Sequence, residues 1–258
     1  MTTITTLLFL LAFLSASPAG GPPPPEADAA PTDAIAAART SSIAASLPAN
    51  STVTAPPEPA YRFYFPIIAH QTPTCAPVQG VQYSSLSTVG APTDRPAEQH
   101  ADLNLALRGY AVTSAHLGLV TYGPGDDPRA PQLNTLFADR RLPAFTTAYR
   151  VYDWNWDCNC RGGLTTRWPV TLLGMGVTPG EVLYLPDSGY NIGQGYEARV
   201  LYASEERLTL KYTREDNVVI GYTIHLEDIC VEPSLLALYR SWDDAGRGEL
   251  PALHAGQP

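Results

Sequence analysis

The chain has 258 residues, of which 16 are Lys or Arg and 25 are Asp or Glu, so its formal net charge is −9. Basic residues are not clustered anywhere, and a phosphate backbone would be repelled, so nucleic acid is not expected as a partner. No apolar run approaches the roughly 20 residues that a helix needs to cross a bilayer, so no stable membrane span is expected.

An apolar run lies close to the N-terminus. Residues 7–14 are Leu, Phe and Ala only, and the small residues Ser15, Ala16 and Ser17 follow them. This order is typical of an export signal and its cleavage region. We therefore predict a signal peptide over residues 1–16 and a secreted or cell-surface protein. No Lys or Arg precedes the run, and a true start farther upstream would account for that.

Residues 17–60 have the composition of a linker. Ala, Pro, Ser and Thr dominate, four prolines follow one another at 22–25, and there is no Trp, Tyr or Phe that could begin a core. Such a segment cannot bury enough apolar area to fold. It is predicted to be a disordered tether in front of one domain, residues 61–258.

The domain is predicted to be rich in β-strands. Aromatic and β-branched residues appear together at 61–68, and alternating apolar positions follow. Strands are predicted at residues 103–107, 117–122, 149–156, 170–173 and 182–185. The clearest alternation covers 196–212 and 218–226, and the polar residues 214–217 between them indicate a hairpin.

One helix is predicted near the C-terminus, at residues 233–245. Glu232 can cap its start, proline suits the first helical position, and Gly246 suits its end. Leu235, Leu238 and Trp242 would form its buried face. The predicted fold class is mainly β, an antiparallel β sandwich or barrel with one C-terminal helix, preceded by the signal peptide and the disordered linker.

Four cysteines, Cys75, Cys158, Cys160 and Cys230, suit the oxidising compartment that export implies, so disulfides are predicted. A bridge between Cys158 and Cys160 would close a very small ring. The favoured pairing therefore joins each of these two to Cys75 or Cys230. The alternative is a zinc site, although thiolate zinc sites belong mainly to reducing compartments.

An aromatic row is the first candidate site. Along a strand, Tyr152, Trp154 and Trp156 would share one face, and Asp153 would lie on the other with Asn155 and Asp157. An exposed row of this kind could stack on sugar rings. The alternative is that the tryptophans pack in the core. The acidic alternation also resembles the start of a calcium loop, but the sixth position, where that loop needs Gly, is Cys158.

Two histidines belong to the second candidate site. His225 lies in the sequence Tyr-Thr-Ile-His-Leu, and a Gly-Gln pair follows at 256–257. These segments resemble the Tyr-x-His-Leu segment and the Gly-Gln turn of lysostaphin-type zinc metallopeptidases, which cut peptidoglycan cross-bridges. The resemblance implies an antiparallel β barrel. It also implies a zinc ion held by a His, an Asp four residues later and the last His of a His-x-His pair.

On this chain, the resemblance implies His100, Asp102 and His225 as zinc ligands. Asn104 stands where the family has its ligating Asp, and the chain ends at Pro258, before the place of the His-x-His pair. The implied enzyme is thus a degenerate or truncated peptidase, with zinc as its cofactor. Apart from this resemblance to zinc peptidases, the sequence predicts no cofactor and no catalytic residue.

The leading functional hypothesis is a non-catalytic domain that binds a cell-wall or other extracellular ligand. The chain has no Gly-rich phosphate loop, no Gly-x-Ser-x-Gly elbow and no His-Glu-x-x-His motif. Its order of signal, Ala/Pro tether and Tyr-rich segment resembles uncharacterised exported proteins of filamentous phototrophic bacteria. A glycan is the ligand class that the aromatic row favours.

Overall fold

The structure is a computed structural model that describes the backbone of residues 5–11 and, beyond them, residues 75–118, 127–168, 170–214, 218 and 221–258. All of these belong to one compact unit, which consists of Met1–Ala16 and Pro73–Pro258. The predicted linker, residues 17–60, lies outside the described residues, and so does the aromatic segment at 61–68. Both stay predictions.

Antiparallel strands dominate the described residues. The strands are β1 (Thr5–Leu11), β2 (Ser84–Ser87), β3 (Tyr110–Thr113), β4 (Ala144–Asn155), β5 (Cys160–Leu164), β6 (Leu172–Val177), β7 (Ala198–Ala203), β8 (Arg207–Lys211), β9 (Thr223–Glu227) and β10 (Glu249–Leu253). Nine of them form one sheet in the order β2-β10-β7-β8-β9-β1-β6-β4-β3, and β5 pairs with β4 alone. The prediction of a mainly β, antiparallel fold is confirmed.

The predicted hairpin is formed by β8 and β9, which pair from Arg207 opposite Glu227 to Lys211 opposite Thr223. Arg207 Nε donates to Glu227 Oε2 at 2.8 Å, so the first of these pairs is also an ion pair. Alternation predicts one polar, solvated face, yet two of the polar residues of β8 are buried, with Thr209 2% and Lys211 0% exposed. The reason is a segment that lies across this face, because the Thr209 hydroxyl donates to the Leu103 carbonyl at 2.7 Å.

The segment that covers this face includes residues 103–107, which the sequence predicts to be a strand. Residues 103–107 are not a strand but end in a short 3₁₀ turn, Leu105–Leu107. Their alternate leucines are buried because the segment packs on the sheet, with Leu103 fully buried and Leu105 only 3% exposed. Residues 182–185 are not a strand either, because their backbone does not pair with one neighbouring strand. The Tyr184 N–H donates to the Leu136 carbonyl, and the Leu185 N–H donates to the Gln257 carbonyl. The predicted strand at 117–122 lies mostly outside the described residues.

The predicted helix is present as α1 (Pro233–Asp244). The Glu232 carboxylate accepts hydrogen bonds from the backbone N–H of Ser234 and Leu235, which satisfies the first turn. Its buried face consists of Leu235, Leu236 and Tyr239, whereas the predicted Leu238 and Trp242 are half-buried. Over the ranges that the structure covers, no helix has the length and apolar character needed to span a membrane.

Both disulfides differ from the favoured pairing. Cys75 is bonded to Cys230, with 5.5 Å between their Cα atoms, and Cys158 is bonded to Cys160, with 5.3 Å. The prediction that each of the close pair would reach a distant cysteine is wrong. The tight ring is accommodated because Asn159, between the two cysteines, has φ 50°, a left-handed conformation that Asn adopts more readily than most residues.

The N-terminal strand β1 lies between β6 and β9 and pairs antiparallel with both. Its register sets Phe9 opposite Leu173 on one side and Leu226 on the other. The segment therefore takes part in the sheet along both of its backbone edges. It coincides with most of the apolar run that predicts a signal peptide.

Candidate functional site

The end of the β4–β5 hairpin carries the predicted aromatic row. Asn155 pairs with Cys160 as the last strand pair, and residues 156–159 form the turn. The Asn155 side-chain oxygen accepts from the Asp157 backbone N–H at 2.9 Å, a local bond that favours the turn. The Cys158–Cys160 disulfide closes the same turn covalently. Backbone bonding and the disulfide thus fix the point from which Trp156 projects.

Six residues meet at this turn and are called the tip cluster: Asp94, Arg95, His100, Trp154, Trp156 and Asn159. Trp156 is their centre. The Trp154 ring centroid is 6.4 Å from that of Trp156, the His100 ring centroid is 5.1 Å away, and the Arg95 guanidinium lies 5.0 Å over the Trp156 ring. Trp156 is nevertheless 41% exposed.

The two side chains beside the Trp156 ring, Arg95 and Trp154, are held by hydrogen bonds. The Asn159 side-chain oxygen accepts from Trp154 Nε1 at 3.4 Å and from the Arg95 guanidinium. Arg95 Nε also donates to Asp94 Oδ2 at 2.7 Å. This hydrogen bond holds the pKa of Asp94 below its ordinary value, so the carboxylate stays charged. The cation over the partly exposed Trp156 indole is therefore bonded to an anion and to an amide.

His100 is a buried member of the tip cluster. Its Nδ1 accepts from the Asp102 backbone N–H at 3.2 Å, and its Nε2 lies 3.8 Å from Asp94 Oδ1. Burial lowers the pKa of His100, against the opposing charges of Asp102 and Asp94. The neutral ring therefore carries its hydrogen on Nε2, on the side of Asp94.

The rest of the predicted row lies lower on the hairpin. Tyr152 is half-buried and has the Arg161 guanidinium 5.3 Å over its ring. Asp153 is half-buried, and its backbone carbonyl lies close to Gly162, where a Cβ would be 3.1 Å away. The strand has a bulge between Tyr152 and Trp154, so strict alternation is interrupted. Trp154 and Trp156 remain neighbours, while Tyr152 belongs to a separate contact.

The ring geometry limits what the site can hold. The planes of Trp154 and Trp156 are inclined at 67°, so they do not form one flat platform. A ligand with one apolar ring face and polar substituents matches a single indole surrounded by hydrogen-bonding groups. Pyranose sugars have these properties.

The other two predicted zinc ligands, His225 and Asp102, are not members of the tip cluster. His225 is 3% exposed on β9, and its Nδ1 is 3.0 Å from Thr209 Oγ1. Because the Thr209 hydroxyl gives its one hydrogen to Leu103, His225 Nδ1 is the donor in this bond. Asp102 is ion-paired with Arg108. No group of three or more His, Cys, Asp or Glu within the described ranges is placed to hold a metal ion.

His225 gives a pH prediction. Burial, followed by the charge of Arg108, lowers the pKa of His225 to about 3 from its ordinary 6.5. The folded state thus favours the neutral His225 ring. The stability that this preference contributes is present above pH 6.5 and is lost as the pH falls towards 3. Between pH 6.5 and pH 4, we expect the wild type to lose about 2–3 kcal/mol more stability than His225→Gln, as measured by urea unfolding.

Glu227, on the same strand, provides the control with the opposite sign. Burial raises its pKa to about 7, although Arg207 opposes that shift. The stability that protonated Glu227 contributes to the folded state is present below pH 4.5 and is lost as the pH rises through 7. Between pH 4.5 and 6.5 the effects of Glu227 and His225 oppose each other, so Glu227→Gln should make the stability fall more steeply than in wild type as the pH is lowered through this range. Identical profiles for His225→Gln and wild type would contradict the prediction.

Several residues of the site were not predicted. Arg95, Asp94 and Asn159 come from segments whose sequence shows only charge and turn composition. A further exposed aromatic residue, Trp168, is 45% exposed shortly after β5 and is not a member of the tip cluster.

Comparison of the chain with protein-family models, curated proteins and solved structures finds no match.

Proposed function

We propose that the protein is exported and that its β domain binds a carbohydrate at the cell surface or outside the cell, through the tip cluster. The observation that carries the binding proposal is Trp156, an exposed indole beneath the Arg95 guanidinium, which is bonded to Asp94 and Asn159. Carbohydrate rings present an apolar face and a polar rim, which match these groups.

Export is supported by independent features. The apolar run at residues 7–14 and the small residues after it have the order of a signal peptide. The disulfide between Cys75 and Cys230 joins positions 155 residues apart, as is common in proteins of oxidising compartments. Mass spectrometry of the secreted protein should find an N-terminus close to Ser17.

Trp156→Ala is expected to weaken carbohydrate binding by roughly tenfold or more, because truncating a central aromatic contact typically costs about 2 kcal/mol and tenfold corresponds to about 1.4 kcal/mol. The measurement is co-sedimentation with insoluble peptidoglycan, chitin and cellulose, followed by titration of soluble oligosaccharides from whichever polymer binds. Intrinsic tryptophan fluorescence provides the titration signal.

Trp168→Ala is the matched control. Trp168 has the same side chain and a similar exposure, 45% against 41% for Trp156, and lies outside the tip cluster. Its replacement should leave the affinity within about threefold, because binding energy is concentrated in a few central contacts and Trp168 is not one of the proposed ones. The proposal fails if Trp156→Ala binds as well as wild type, or if the purified protein sediments with none of the three polymers.

A further inference from the structure

The disulfide between Cys158 and Cys160 lies in the exposed turn of the β4–β5 hairpin. Every residue from Asn155 to Arg161 is exposed, so both cysteines of this bridge belong to the protein surface. In the other bridge, by contrast, Cys75 is half-buried. Thiol–disulfide exchange requires a thiolate to reach a sulfur atom, and an exposed turn allows that approach. The short bridge is therefore open to thiols in solution.

We propose that Cys158 and Cys160 form a redox couple that exchanges electrons with dithiols. In its oxidised form the pair takes two electrons from a dithiol, and in its reduced form it returns them to a disulfide. The proposal concerns the sulfur chemistry of the pair, and it depends neither on export nor on carbohydrate binding.

The exchange takes place in two steps. A thiolate of the dithiol attacks one sulfur of the bridge, the S–S bond breaks, and the other cysteine leaves as a thiolate that takes up a proton. A mixed disulfide then joins the dithiol to the protein. The second thiolate of the dithiol attacks this bond and releases the first cysteine, which is protonated in turn. The protein gains two electrons and two protons, and the dithiol is oxidised to its disulfide.

The chain between the two cysteines is constrained while the bridge is closed. Only Asn159 separates them, and their Cα atoms are 5.3 Å apart. Asn159 has φ 50°, a left-handed conformation that is unfavourable for residues other than glycine. Reduction removes the covalent part of this constraint, which favours the dithiol form of the pair.

The fold protects the two bridges to different degrees. A disulfide that stabilises the folded state is itself stabilised by folding to the same extent, because the two effects are thermodynamically linked. This stabilisation grows with the length of the loop that the bridge closes. The separations are 2 residues for Cys158–Cys160 and 155 residues for Cys75–Cys230. The fold therefore adds little resistance to reduction of the short bridge and much to reduction of the long one.

Non-covalent contacts also hold the turn, so the pair can be oxidised again. Cys160 is paired with Asn155 at the end of the hairpin. The Asn155 side-chain oxygen accepts from the backbone N–H of Asp157, the residue before Cys158, at 2.9 Å. Both cysteines are thus tied to the same residue by contacts that survive reduction. The two thiols stay close together, and the bridge can form again within one molecule.

The first test equilibrates the folded protein, without oxygen, in about 10 mM reduced and about 0.1 mM oxidised glutathione. Free thiols are then blocked with N-ethylmaleimide, and the labelled cysteines are mapped by mass spectrometry. More than about half of the Cys158–Cys160 bridge should be reduced, whereas a bridge that resists the glutathione pool stays almost fully oxidised. Cys75–Cys230 is the internal control and should stay oxidised. The proposal is overturned if less than half of the short bridge is reduced, or if both bridges are reduced equally.

The second test follows the electrons into a short peptide that carries two cysteines as thiols. Excess oxidised protein should convert this peptide to its disulfide, as measured by mass spectrometry. The double variant Cys158→Ala, Cys160→Ala should do so at least about tenfold more slowly, since only the less accessible bridge remains in it. Circular dichroism checks that the variant is folded. Equal rates for the variant and the wild type would overturn the proposal, because the electrons would then enter through Cys75–Cys230.

Discussion

Replacing Cys75 and Cys230 with alanine is expected to lower the free energy of unfolding by about 3–5 kcal/mol, whereas alanine at Cys158 and Cys160 should lower it by about 1–2 kcal/mol. The difference follows from the sequence separations, 155 residues for the first bridge and 2 for the second. A bridge across a long loop removes more conformational freedom from the unfolded chain.

Urea unfolding of the two double variants, followed by circular dichroism, measures both changes, and each variant is the control of the other. The short bridge should matter more for binding than for stability, because it closes the turn that carries Trp156. Under the proposed function, the affinity for carbohydrate should therefore fall in the variant without the short bridge and stay near wild type in the other. An equal loss of stability in both variants would contradict the expectation.

Removal of residues 1–16 is expected to make the amides of β6 and β9 that face β1 exchange roughly 100-fold faster, which corresponds to the loss of about 3 kcal/mol of local protection. The reason is that β1 pairs with both strands, from Thr5 opposite Val177 to Leu11 opposite Ile224. A sheet strand that loses a neighbour exposes a row of backbone donors and acceptors.

Hydrogen exchange with mass spectrometry on the full chain and on a chain that starts at Ser17 measures this change. The amides of β7 are the internal control, since β7 is paired with β8 and β10 in both forms. Adding a synthetic peptide of residues 4–12 should restore protection to β6 and β9. Equal protection in both forms would refute the expectation and would mean that another segment fills the place of β1.

Features with local causes could be predicted from the sequence. The helix α1 begins where Glu232 and Pro233 indicate, because capping depends on residues adjacent in the chain. The β8–β9 hairpin follows from alternation over several residues. The same alternation failed at residues 103–107, since alternate leucines also become buried when an irregular segment packs on a sheet.

Features with distant causes could not be predicted. The disulfide pairing depends on which ends of the fold meet, and four cysteines allow three pairings. Of the tip cluster, Trp154, Trp156 and His100 were candidates, but as members of two different sites. Arg95 reaches Asn159 across 64 positions of sequence, a contact that only the folded chain reveals.

If the protein is exported as we propose, the location of Thr5–Leu11 between β6 and β9 makes folding and export competing processes. While this segment is hydrogen-bonded between β6 and β9, the export machinery cannot bind it as a signal peptide. A chain that folds early keeps its N-terminus hidden and stays in the compartment where it was made, and there its cysteines remain reduced. A chain captured early folds only after crossing. Mutations that slow folding should therefore increase the exported fraction, even though they improve nothing in the finished protein.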